Sequence, residues 1–189
     1  MSTVCVNFHG PIGHPQTTKL RNVLCNVAND RDPNGNHKSL YLYMSSAGGS
    51  LDDGMSLFGL IRSLPGGVTT INTGVIASIA ILPFLAGAVR IALPHSLFHF
   101  HDFEMNYTAA HNLTRLEFQD HTQVLNAIRD VTFELLKEDT LLTDENLKEL
   151  QLLSIPTIKD ATFAKERGIV EEVKDFPIPK DAIIVNVDY

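Results

Sequence analysis

The chain has 189 residues, with 44% hydrophobic and 20% charged, so it can bury a sizeable core and is not a disordered polymer. Lysine plus arginine number 15 against 22 aspartate plus glutamate, a formal charge of −7, which argues against a phosphate-backbone partner. Two cysteines, Cys5 and Cys25, make no disulfide scaffold, and reduced thiols in a cytoplasmic protein are the simpler expectation.

Met1–Gly10 has neither the basic start nor the long apolar stretch of a secretory signal. Val4, Val6 and Phe8 alternate, which predicts a strand over 3–9, and Gly10-Pro11-Ile12-Gly13 turns the chain. Leu20, Val23, Leu24 and Val27 recur at helical spacing and predict a helix over 16–29. A loop at 32–36 leads to a tyrosine-rich strand at 40–44. Ser45 to Ser50 then opens a helix with Leu51, Met55, Phe58 and Ile61 on one stripe, stopped by Pro65-Gly66-Gly67.

Val68–Thr73 is a β-branched strand, and Gly74 is expected to turn the chain into an apolar helix. That apolar stretch, Val75–Val89, is short for a bilayer span and is interrupted by Ser78, Pro83 and Gly87, so it reads as a buried helix. Two short strands follow at 89–93 and 96–101, then a loop over 102–110. The longest helix is predicted at 112–138, carrying Val124, Ile128, Val131 and Leu135. Thr143 caps a short helix around Leu147 and Leu150, and Asp160 caps another that ends at Gly168. Strands are expected at 169–173 and 183–187. The alternation predicts an α/β domain over 1–189 with a largely parallel sheet, whose functional residues collect at the carboxyl ends of strands.

Three such strand ends carry chemistry. Ser46-Ala47-Gly48-Gly49-Ser50 joins a strand to a helix, where bare backbone N–H groups and a helix N-terminus favour a phosphate or an oxyanion, although a plain tight turn has the same composition. The Lys-Ser/Thr of a P-loop is missing from it. Ser78 falls at the first turn of the apolar helix, where it serves either as a cap or as a nucleophile beside the Ile79 N–H. His99 and His101 share a strand face, and His101, at the strand's end, suits a general base. The carboxylate and cysteine partners of a recognised metal motif are not spaced around them, so no metal or cofactor is expected.

In order and spacing these segments resemble the proteolytic subunit of the Clp protease. Phe8-His9-Gly10-Pro11-Ile12 resembles that family's first strand and Gly-Pro-Ile turn, and Leu42 to Ser50 its Leu-Tyr-Ile-Asn-Ser-Pro-Gly-Gly segment. Gly74 to Ile79 is similar to Gly-x-Ala-Ala-Ser-Met, and Ala92-Leu93-Pro94-His95-Ser96 followed by His101 to the Ala-Leu-Pro-Asn-Ser segment with its histidine. The resemblance implies a crotonase-like fold of stacked βαβ units with residues 112–138 as a protruding helical handle. It implies Ser78 as nucleophile, His101 as base, and the N–H groups of Gly49 and Ile79 as oxyanion hole. It further implies peptide or unfolded-protein substrates, homo-oligomerisation in heptameric rings, and a Clp ATPase partner.

The chain departs from the family at the third catalytic residue. Counting back from Gly168-Ile169-Val170 puts the family's aspartate at Pro156 or Thr157, which carry no carboxylate. Asp160 is the nearest substitute, although capping a helix is its simpler role, and Asp102 points to the other strand face. The run Asp102 to Thr108 is bulky where the family is glycine-rich. An inactive or weak paralogue acting as scaffold or partner subunit is therefore the alternative to an active peptidase. A crotonase-type acyl-thioester enzyme is a third reading, for which no adenine-binding or paired-glutamate signature is found.

Overall fold

The computed structural model describes residues 3–104, 114–149 and 155–187. In chain order the elements are β1 (Thr3–His9), α1 (Gln16–Asn29), β2 (Ser39–Ser46), α2 (Leu51–Ser63) and β3 (Thr69–Ala77). A single 3-10 turn, Ser78–Ala80, then runs into α3 (Ile81–Leu85), followed by β4 (Val89–Ala92) and β5 (Leu97–Phe100). The remainder is α4 (Arg115–Asp139), α5 (Asp144–Glu149), β6 (Thr157–Asp160), α6 (Ala161–Glu166), β7 (Glu172–Val173) and β8 (Ile183–Val187). The expected ends at 112–113 and Leu150 lie outside the described residues.

The strands form one eight-stranded sheet in the order β6-β5-β3-β2-β1-β8, with β4 beside β3 and β7 beside β4. Every described pairing is parallel except β5 with β6. The alternation read from β1 sorts its side chains between two faces. Val4, Val6 and Phe8 enter the main core with Leu20 and Leu24 of α1, Leu57 and Ile61 of α2, and the fully buried α3. Cys5 enters a second, smaller core with Tyr43, Ile71 and Ile91, closed over by Phe176 and Ala182. Both cysteines are free thiols.

The main correction concerns β3. Gly74 does not end it: the strand continues to Ala77, and the apolar stretch holds only a 3-10 turn and five helical residues. Pairing with β2 passes from Met44↔Asn72 to Ser46↔Ile76, so two extra residues bulge out of β3. Buried Asn72 stitches the bulge: its Nδ2 donates to the Leu97 carbonyl at 2.9 Å, and its Oδ1 accepts from the Gly74 N–H at 3.0 Å. Thr73 Oγ1 donates to the Met44 carbonyl at 3.1 Å. A Cβ on Gly74 would stand 2.8 Å from Ser45 Oγ, so a larger residue here would displace the Ser45 hydroxyl that accepts from the Val75 N–H. Side chains thus replace the interrupted ladder, and the strand changes partner across the bend, pairing with β4 before it and β5 after it.

The long helix α4 starts at a capping box between Thr114 and Glu117. Among its described residues only Thr132 and Leu136 are buried, while Leu116 and Phe118 are exposed. Its C-terminal end is tied down by Arg62, whose Nη1 lies 3.0 Å from Asp139 Oδ1, and by Arg90, which donates to the Asp139 carbonyl at 2.8 Å. No helix among the described residues is long and apolar enough to cross a membrane.

Candidate active site

Ser78 follows the last residue of β3. Ala77 is extended, at φ −128°, and Ser78 turns to φ 55°. It is the one non-glycine residue with positive φ among the described residues. That conformation costs an L-residue about 1–2 kcal/mol, and it turns the side chain sharply out of the strand-to-turn path. The capping role does not hold: Ala77 occupies the cap position of the 3-10 turn and makes no side-chain capping bond. Ser78 is half-buried, while Ile79 and Ala80 behind it are buried. The Ile79 N–H belongs to the first turn, whose donors have no acceptor within a helix.

The Gly48-Gly49 turn, between β2 and α2, lies against this serine. A Cβ on Gly48 would stand 2.7 Å from the Ser78 Cβ and 3.3 Å from its Oγ. The turn is held from the other side by Ile12. The Ile12 N–H donates to the Gly48 carbonyl at 2.8 Å, and the Ser50 N–H donates to the Ile12 carbonyl at 2.7 Å, a parallel bridge between Ile12 and Gly49. In such a bridge the bracketed residue directs its own N–H to the opposite side, away from Ile12. The neighbouring Gly48 N–H is taken by Ser46 Oγ at 3.1 Å. Ser50 caps α2 through the Asp53 N–H at 3.3 Å.

His101 enters from β5. Ala77 pairs with His99 in the parallel β3–β5 ladder, so Ser78 and His101 leave adjacent strands at the same carboxyl edge. No hydrogen bond joins the two side chains, a separation common where substrate has yet to draw the pair together. His101 Nδ1 lies 2.7 Å from the Asp102 carbonyl oxygen. A carbonyl only accepts, so Nδ1 carries the proton and Nε2 presents its lone pair. The His99 and His101 rings lie tilted against each other, 5.2 Å between centroids, on the shared face that alternation predicts.

Asp160 is not brought to this imidazole. In the antiparallel β5–β6 pair it stands opposite Leu97, roughly 13 Å along the strand from His101 at about 3.4 Å per residue. Its Oδ1 accepts the Phe163 N–H at 2.8 Å and caps α6. Thr157 stands opposite Phe100, and the ladder ends there, one residue short of His101. The Asp102 carboxylate is engaged by the Phe103 N–H at 2.9 Å. The Asp102 carbonyl, a backbone group that no residue-type pattern signals, is what orients the imidazole. The strand β6 itself was also missed, because Thr157–Asp160 is half exposed and too short for a period to register.

A cleft of about 360 Å³ adjoins Gly49, walled by Leu51, Asp52, Glu104, Val124 and Ile128. A second, of about 470 Å³, runs past Ala77 and Val75 to Ser45 and His9. A third, of about 550 Å³, lies between α4 and α5 around Phe133 and Leu147 and touches none of these residues. Among the described residues no group of three or more His, Cys, Asp or Glu side chains is disposed to hold a metal ion.

The mixed α/β architecture is the crotonase-like fold of ClpP: a structure of a point mutant of ClpP1 from Listeria monocytogenes superposes with TM-score 0.74 over 91% of both chains, at 20% identity. The Clp protease family model matches residues 11–176, and the chain belongs to that family. An ATP-dependent Clp protease proteolytic subunit of Chlorella vulgaris is 29% identical over 139 residues, 72% of this chain and 66% of that one. An ATP-dependent Clp protease proteolytic subunit 2 of Borreliella burgdorferi is 27% identical over 143 residues, 72% and 67% respectively. The chain thus spans about two thirds of the length of the curated relatives it matches.

Proposed function

We propose that this chain is a serine peptidase of the Clp proteolytic type, with Ser78 as nucleophile and His101 as general base. Nε2 of His101 takes the proton as Ser78 Oγ adds to the peptide carbonyl, and the resulting oxyanion is held by the Gly49 and Ile79 N–H groups. The imidazolium then protonates the departing amine, and water, activated by the same nitrogen, releases the acyl group from Ser78. The observation that carries this reading is the positive φ of Ser78 at the carboxyl end of β3, with the Gly48-Gly49 turn pressed against it. A serine with only a packing role has no reason to hold that strain.

The exposed Leu116 and Phe118 on α4 support assembly with further copies, and the relatives' names, proteolytic subunits of an ATP-dependent protease, support work as part of a larger ATP-dependent assembly. Heptameric rings, a Clp ATPase partner, a cytoplasmic location and unfolded-protein substrates are part of this proposal, as is the description of residues 1–189 as one domain with α4 as its handle. A fluorophosphonate probe is expected to label the wild-type oligomer, and Ser78→Ala to abolish labelling. A folded oligomer that stays unlabelled overturns the assignment.

One observation favours a second reading, a weak subunit that works beside an active one. The His101 Nδ1–H is held by a neutral carbonyl, and Pro156 and Thr157, where the resemblance expects the acid, carry no carboxylate. A carbonyl orients an imidazole but stabilises its cation less, and loss of the acid costs up to about 10⁴-fold. Co-purification with a complete-triad subunit, and no turnover alone, distinguishes this case. Peptidase activity of the homo-oligomer disposes of it.

A further inference from the structure

We propose that His99 and His101 form a two-imidazole site for a borderline transition-metal ion, zinc or copper(II), and that its occupancy silences Ser78. Three observations converge on it. His99 in β5 and His101, one residue past its end, bring their rings side by side, 5.2 Å apart between centroids with their planes at 49°. A tetrahedral metal with 2.0–2.1 Å bonds needs its two nitrogens about 3.3 Å apart, which neighbouring rings at this spacing reach by side-chain rotation. Both residues are half-buried, open enough for a hydrated ion to enter and shielded enough to hold it.

The third observation is the state of His101. Metal-ligating histidines characteristically donate their other ring N–H to a carboxylate or a backbone carbonyl, which sets the tautomer and the ring direction. His101 already does so, through the 2.7 Å bond to the Asp102 carbonyl, and Nε2 is the nitrogen left for a ligand. Imidazole pairs select zinc and copper(II) over magnesium and calcium, which prefer oxygen donors. Water completes the coordination sphere. Binding is reversible and breaks no covalent bond: the metal takes the Nε2 lone pair that would otherwise accept the Ser78 proton.

The inhibitory half rests on the peptidase reading, and the binding half does not. Binding is therefore measured on the Ser78→Ala protein by calorimetric titration with zinc chloride, with magnesium chloride as the control. The expected result is zinc binding that weakens at least about tenfold on His99→Gln, since removing even an outer-shell partner costs that much. Copper(II) resonance spectra should report two imidazole nitrogens in the parent and one in the His99→Gln variant. No zinc binding, or binding indifferent to His99→Gln, overturns the site.

On the protein with Ser78 intact, zinc should slow fluorophosphonate labelling, a chelator should restore it, and His99→Gln should abolish the zinc effect. Labelling that zinc leaves unchanged, in a protein that binds zinc through His99, overturns the switch. Absence of labelling in the chelator-treated protein counts against the peptidase reading and against any switch, and leaves the binding result to stand or fall on the calorimetry.

Discussion

A methyl group on the Cα of Gly48 would stand 2.7 Å from the Cβ of Ser78 and 2.9 Å from the Ala77 carbonyl oxygen. The turn that follows β2 is therefore in van der Waals contact with the turn that follows β3, across the bend where β3 bulges. This contact holds a glycine turn and a strained serine at one sheet edge.

Gly48→Ala should consequently disturb both stability and the site. Gly48 has φ 92°, so alanine there pays left-handed strain on top of a clash with backbone that cannot swing aside. The combined loss is expected at about 2–4 kcal/mol. Urea denaturation checks the magnitude, and the rate of Ser78 labelling should fall with it. An unchanged midpoint shows that the two turns are not in contact.

Ser78 offers a way to separate strain from chemistry. Ser78→Ala and Ser78→Gly both remove the hydroxyl, but only glycine relieves φ 55°. Glycine also gains freedom in the unfolded chain, so the net advantage of Ser78→Gly over Ser78→Ala is expected at roughly 0.5–1 kcal/mol. Thermal unfolding of the two variants measures it. Equal stability argues that the serine backbone is unstrained.

The β5–β6 register makes a sharper demand. Thr157 pairs with Phe100 and so faces away from the His99 side, and continuing the register one residue past that last pair carries Pro156 to His101. Pro156→Asp should place a carboxylate within reach of Nδ1 and raise turnover of a small peptide ester, by roughly 10- to 100-fold, short of the full value of a triad acid. Thr157→Asp should not. Steady-state rates of the two variants test the orientation, and a reversed order refutes the register.

Acid sensitivity is expected from the loop before β2. Asp32 Oδ1 accepts the backbone N–H groups of Asn36 and Asn34, each at 2.9 Å, and the Asn36 bond foremost holds this carboxyl below its ordinary value. A folded-state pKa below the unfolded one contributes stability at neutral pH. That contribution is lost as pH falls from about 4 through the folded-state value. Asp32→Asn should thus lower the urea midpoint at pH 7, and that difference should shrink progressively as pH falls below about 4. A difference that persists unchanged in acid shows that the charge is not what the loop uses.

The amphipathic helices and β1 were legible because their core residues recur at the element's own period. Leu20 and Leu24 in α1, or Val4, Val6 and Phe8 in β1, write their environment into their spacing. Illegibility began where burial is complete or contacts are distant. Val75, Ile76 and Ala77 were expected to open the apolar helix, and their membership of β3 depends on Asn72 and Ser45 bridging a bulge. The stretch expected as a strand over 169–173 keeps only Glu172–Val173, because β4, its partner, offers just two paired residues there.

The sequence by itself determined which residue types stand at the carboxyl ends of the strands: a glycine pair, a serine and a histidine, in a spacing that matches a known family. Local rules suffice for that, since turns and periodicities are short-range. Only the folded chain decided that Gly48 touches Ser78, that the His101 proton sits on Nδ1 because a carbonyl receives it, and that Asp160 caps a helix far along the strand. Those outcomes follow from register between strands remote in sequence, where sliding by one residue turns a side chain to the opposite face.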